Sequence, residues 1–246
     1  MEEKERLEFP RQRTPWGMKE LVGVLVFASL GGAVSAPLFS RLLERIPWLA
    51  KGVPGEEALR ILTAGYVQSF LLFALVLFCV LFKYRAPIAA VGLNPLSIKE
   101  VFSMGFVGFA GGLAALAVVL LLMSAITSLV HKTPPPQPLA ELLVANGDRG
   151  FLLLSAILVG ILSPVGEEVY FRGFVYPAIR WRLGMLPALL LSSLLFGALH
   201  FDIFRLLPLT AGGAILALIC ETTSSLIPSI LAHSVWNIGM LLLLVS

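Results

Sequence analysis

The chain has 246 residues, 58% of them hydrophobic and only 13% charged, with a formal net charge of +3 and a mean hydropathy of +0.92. Soluble domains carry about a quarter charged residues, so this composition excludes an ordinary soluble globule and points to a polytopic membrane protein. So small a net charge also reads as a topology signal, not as a nucleic-acid surface.

Met1–Glu20 mixes both charge signs and contains Pro10 and Pro15. It lacks the basic-then-apolar layout of a cleaved signal, which leaves residues 1–20 as a cytoplasmic segment and the first apolar run as a retained anchor. Seven apolar runs follow: Leu21–Ser40, Ile61–Phe82, Val101–Val130, Phe151–Tyr176, Leu186–Phe201, Leu206–Cys220 and Leu226–Val245. Leu206–Cys220 is short for a span of ~20 residues and is expected to begin earlier or to lie deep against its neighbours. The fold class is therefore all-α, a transmembrane helical bundle of about seven spans (six to eight).

Gly105, Gly108 and Gly112 share one face of the third run, a small-residue stripe suited to close helix packing. Two connections have loop composition: Arg41–Arg60, and the polar connection 131–150 with Pro134, Pro135 and Pro136 and a short helix expected over Leu139–Ala145. His131 belongs to this loop. Trp181 between Arg180 and Arg182 reads as a basic, aromatic connection at the membrane interface. With the N-terminus inside, eleven Lys and Arg lie on inner segments, Arg172 among them, against seven outside, which favours that orientation. Cys79 and Cys220 read as core residues without a disulfide framework.

Ionisable groups inside apolar runs are costly and are rarely kept without a task. Glu168 and Arg172 are four apart, share a helix face and can pair, while Glu167 is turned about 100° away. That division suits a structural ion pair beside a working base, though the same residues could form a charge cluster ending a helix. His200 follows Phe196 by four, and Asn237 follows His233 by four, so each pair shares a face. Interhelical hydrogen bonding is the plain alternative for the histidines. Convergence with the glutamates requires the fourth helix to run past them. If that helix ends at Tyr176, Glu167 lies roughly 14 Å inside, His200 roughly 21 Å and His233 roughly 11 Å at 1.5 Å per residue.

Glu167-Glu168-x-x-x-Arg172, Phe196-x-x-x-His200 and His233-x-x-x-Asn237, in that order over Leu153–Leu241, resemble the CPBP family of intramembrane endopeptidases. That family includes the type 2 CAAX prenyl proteases and bacteriocin-processing relatives, also called the Abi family. Gly92-Leu93 resembles a weaker feature of the same family. The resemblance implies an N-terminal set of transmembrane helices over 21–130 and a catalytic region over 151–246, with its cavity between the C-terminal helices. It implies Glu167 as the base that activates water with help from His200, His233 and Asn237 as oxyanion donors, and Glu168, Arg172 and Phe196 in support. No cofactor is required on this reading. A zinc ion held by Glu167, His200 and His233 is the competing arrangement, against which stands the missing His-Glu-x-x-His motif. The expected partners are a peptide or membrane-protein substrate, lipid-modified or not, and the bilayer, with no nucleic acid. The expected location is the cytoplasmic membrane of a bacterium. Two further functions fit the same residues: a proton-coupled transporter using buried carboxylates and histidines as a relay, and a non-cutting membrane partner or immunity protein of the same family.

Overall fold

The computed structural model describes residues 9–43, 45, 55–94, 96–146 and 149–245. Among them are eight helices and no strand, an all-α bundle. Helix α1 is Met18–Leu43, and α2 is Gly55–Leu77 prolonged by a π-helical turn, Phe78–Lys83. A 3₁₀ turn, Ile88–Val91, leads to α3, Ile98–Val130, and the short α4 follows at Pro138–Asn146. Helix α5 runs unbroken over Arg149–Leu183. Its α-helical stretches alternate with π-helical ones at Leu158–Leu162 and Val169–Val175. The last three helices are α6 (Met185–Ala198), α7 (Ile203–Thr223) and α8 (Ile227–Val245).

Local chemistry sets these limits. The Ser97 side chain accepts the Glu100 N–H while Glu100 accepts the Ser97 N–H, a reciprocal cap that starts α3. Asp202 accepts the N–H groups of Phe204 and Arg205 and starts α7. Gly184, at φ +89°, turns the chain between α5 and α6 through a conformation that favours glycine.

Six helices are long and apolar enough to cross a membrane: α1, α2, α3, α5, α7 and α8. The chain is an integral multi-pass membrane protein. The seven expected runs reappear as helices, and the run at Leu206–Cys220 begins earlier, as expected. Helix α7 begins at Ile203 because Asp202 caps it, and has 21 residues, whereas α6 has only 14. The expected stop of α5 at Tyr176 is corrected. Pro177 falls at the start of a new α-helical stretch within the continuous helix, which runs on to Leu183.

Helix α5 is the core element. Every residue from Val169 to Val175 is buried, and Tyr170, Phe171 and Phe174 centre the main hydrophobic cluster. Of the glycine stripe, Gly108 and Gly112 face the backbone of α8 at Pro228 and Ala232, and Gly105 faces open space.

Two expectations about the basic end need correction. Trp181 and its arginines lie in the last turn of α5, not in a connection. Arg172 is buried and paired with Glu168, so it carries no topology information. Where the N-terminal segment is described it packs on the bundle: Phe9 and Trp16 are fully buried. Trp16 stacks on Phe174 and donates Nε1–H to the Phe174 carbonyl at 2.9 Å, and Gln12 donates to the Ala90 carbonyl at 2.9 Å. Residues 9–17 thus form a strap across one end of the bundle. Residues 1–8, most of the 44–54 connection, and Ser246 lie outside the described residues.

Candidate active site

Glu167 and Glu168 stand near the middle of α5. Gly166, just before them, lies so close to α2 that a Cβ there would come 2.5 Å from the Ser69 carbonyl oxygen. The bare backbone lets α5 press against α2, and Ser69 Oγ lies 3.2 Å from Ser163 Oγ across the same contact. The helices α5 and α6 run antiparallel from the Gly184 turn, and this brings the motifs level. Glu167 lies roughly 24 Å from Leu183 at 1.5 Å per residue, and His200 a similar distance beyond Gly184. The convergence comes from the added length of α5.

Glu168 is fully buried and fully partnered. Its Oε1 accepts from Arg172 Nη1 at 2.8 Å and from His233 Nδ1 at 2.9 Å, and its Oε2 accepts from the Ser229 hydroxyl. Arg172 Nη2 donates to the Gly213 carbonyl of α7 at 2.8 Å, and its guanidinium lies 4.7 Å from the centroid of the Phe196 ring. The carboxylate ties α5 to α8, and Arg172 carries the contact on to α7 and α6.

Glu167, with a quarter of its side chain exposed, faces a cavity of about 460 Å³. His200, His233, Asn237, Phe196 and Ser163 line the same cavity. Since His233 Nδ1–H is directed at Glu168, Nε2 is the ring nitrogen turned towards Glu167, 3.9 Å from its Oε2. His200 lies just past the last turn of α6 and is exposed. Its Nδ1 is 2.8 Å from the Phe196 carbonyl; a carbonyl only accepts, so Nδ1 carries the proton and Nε2 is left with a free lone pair.

Asn237 Nδ2 donates to the Val159 carbonyl at 2.8 Å. That carbonyl is open for a reason readable in the chain. The Ser163 N–H that would serve it in an α-helix goes instead to Leu158, and the next residue, Pro164, has no N–H. One hydrogen of the Asn237 amide fills the gap, and its second hydrogen remains for another acceptor.

The rest of the cavity wall is mostly apolar, including Met123, Leu139, Leu209, Trp236 and Met240. Arg205 is its cationic member; it pairs with Asp202 and donates to the Pro135 carbonyl at 2.8 Å. Burial raises the Asp202 pKa, but the Arg205 guanidinium and the two capping N–H groups outweigh that and hold it below the ordinary carboxylate value. Glu167, His200 and His233, the set considered for zinc, line one cavity. Among the described residues, however, no three His, Cys, Asp or Glu side chains gather into a group that could hold a metal ion. Ser229 and Ser163 were missed in the sequence. Ser229 could have been found, because it lies four residues before His233 and so shares its helix face.

Residues 149–239 match the family described as type II CAAX prenyl endopeptidase, Rce1-like. A protein of Bacillus subtilis (strain 168) named "Putative membrane peptidase YdiL" is 33% identical over 84 residues, 34% of this chain and 34% of that protein. The chain thus spans about a third of the length of the curated relative it matches. No solved structure matches the chain. The matched segment opens with α5 and closes two residues after Asn237, taking in every motif residue gathered around the cavity. Over residues 149–239 the chain is thus similar to the Rce1-like, type II CAAX prenyl endopeptidase family.

Proposed function

We propose that this protein is an intramembrane endopeptidase that hydrolyses a peptide bond with water activated by Glu167, without a metal ion. The observation that carries the reading is that Glu167, His200, His233 and Asn237 line one cavity, while Glu168 stands behind it and holds His233 by Nδ1. Peptide hydrolysis needs a base beside the attacking water and donors where negative charge develops, and this arrangement supports both.

Glu167 takes a proton from water, with His200 Nε2 accepting a hydrogen bond from the same water. The water oxygen bonds to the carbonyl carbon, and the carbonyl oxygen becomes the oxyanion. Asn237 donates its second amide hydrogen to that oxyanion. His233 donates through Nε2 when that nitrogen carries a proton, because Glu168 already occupies Nδ1–H and stabilises the imidazolium. The intermediate then collapses, the C–N bond breaks, and the proton held by Glu167 passes to the leaving nitrogen. The products are a carboxylate and an amine.

The partners on this reading are a peptide or membrane-protein substrate and the bilayer. The apolar cavity wall favours apolar side chains or a lipid group beside the scissile bond. Comparison of the membrane proteomes of cells carrying the native protein and Glu167→Gln should reveal termini present only with the native protein. Identical sets of termini would overturn the proposal.

A further inference from the structure

The strap and the last turn of α5 bring four guanidinium groups together. Arg11 and Arg180 both bond the buried carboxylate of Glu221, at 3.2 Å each, and Tyr176 donates to the same group at 2.8 Å. Arg182 donates to two backbone carbonyls, those of Ala178 at 2.6 Å and Trp16 at 3.1 Å. Carbonyls satisfy its N–H groups without cancelling its charge. Arg13 lies over the Trp181 ring, 5.5 Å from the centroid, and among the described residues it has no ion pair. Among the described residues, Glu221 is thus the one carboxylate that pairs with any of these four cations, and it pairs with two, Arg11 and Arg180.

The group sits where α1 begins, α5 and α7 end, and Lys83 at the end of α2 pairs with Glu20 at 2.8 Å. These helix ends share one face of the bundle, and Trp181, 44% exposed, stands among them. An amphipathic indole prefers the headgroup level of a bilayer. A guanidinium held over an indole keeps N–H donors for a phosphate, which it can grip with two hydrogen bonds.

We infer that the strap and the end of α5 form a docking surface for the phosphodiester headgroups of anionic phospholipids, with Arg13 and Arg182 as donors beside Trp181. Anionic lipid neutralises the charge that stands unpaired among the described residues and fastens the strap to the bundle. The surface is separate from the cavity, and the inference does not depend on the peptidase reading.

The test uses the full chain in nanodiscs of phosphatidylcholine alone and of phosphatidylcholine mixed with phosphatidylglycerol. Thermal unfolding is followed in both, and binding of a fluorescent phosphatidylglycerol is measured in the first. The native protein should unfold several degrees higher in the mixed discs. Arg13→Gln should unfold with the native protein in phosphatidylcholine, lose a large part of the added stability in mixed discs, and bind the labelled lipid about fivefold more weakly. Arg13→Glu should weaken binding further. Arg182→Gln gives a second reading wherever it unfolds normally in phosphatidylcholine. Inorganic phosphate added to phosphatidylcholine discs should not reproduce the effect. Equal unfolding temperatures in the two discs, an undiminished effect in Arg13→Glu, or full reproduction by free phosphate would each overturn the inference.

Discussion

His233 Nδ1 lies 2.9 Å from Glu168 Oε1, a contact between α8 and α5 that joins residues 65 apart in the chain. It decides which face of the imidazole meets the cavity. With Nδ1–H given to a buried carboxylate, Nε2 is the nitrogen left facing Glu167. The two adjacent glutamates therefore meet opposite nitrogens of one ring, Glu168 from behind the wall and Glu167 from within the cavity.

Glu167→Gln and Glu168→Gln should therefore fail differently. Glu167→Gln removes the base from a partly exposed position, so cleavage should vanish while thermal stability in detergent stays near native. Glu168→Gln leaves Arg172 and His233 without their buried counter-charge, and should destabilise by on the order of 3–5 kcal/mol as well as inactivate. Peptide cleavage and thermal unfolding, measured side by side, check both. Near-native turnover in Glu167→Gln would transfer the base to Glu168.

His200→Asn separates the two nitrogens of that ring. The asparagine amide can still reach the Phe196 carbonyl, but nothing remains at the position of Nε2. Turnover should fall by about 10²–10⁴ with little change in stability, as for loss of a group that handles the proton. Retained activity would reduce His200 to an anchor for the end of α6.

Asn237→Ala should lower turnover by about 10²–10³, the usual cost of an oxyanion donor. Pro164→Ala tests how Asn237 is held. It restores an N–H five residues after Val159, able to compete for the carbonyl that Asn237 now occupies. The expected result is a lower kcat at unchanged KM, without loss of stability. Unchanged kinetics would mean that Asn237 does not need Val159 for its position.

Activity should survive exhaustive treatment with a zinc chelator. Loss of cleavage, with recovery on zinc alone, would instead assign Glu167, His200 and His233 as ligands.

Trp16→Phe tests the strap's anchor. The ring can still stack on Phe174, but the Phe174 carbonyl loses its Nε1–H donor. A loss of about 1–3 kcal/mol is expected from leaving a buried acceptor unpaired. A variant as stable as the native protein would show that the carbonyl finds another donor.

The Glu168–Arg172 pair was readable because four-residue spacing survives in a helix of any context, and the same rule paired Phe196 with His200. The all-α class followed from apolar runs long enough to span a bilayer. What escaped was whatever local pattern does not encode. Residues 9–17 hold two prolines and no periodicity, so nothing local ties Trp16 to its partners, Phe174 and Arg182, which lie more than 150 residues away. The π turns of α5 have no hydrophobic period of their own. Only Pro164, read together with Asn237, hints at the first of them.

Helix α6 has 14 residues, which at 1.5 Å per residue is about 21 Å, well short of a hydrocarbon core of ~30 Å. Hydrophobic mismatch of that size has to be absorbed by what surrounds it. A span that short is accommodated by local thinning of the bilayer or by packing against longer neighbouring helices. In a thinner membrane that thinning costs less, so acyl-chain length becomes a variable in the stability of this corner of the bundle.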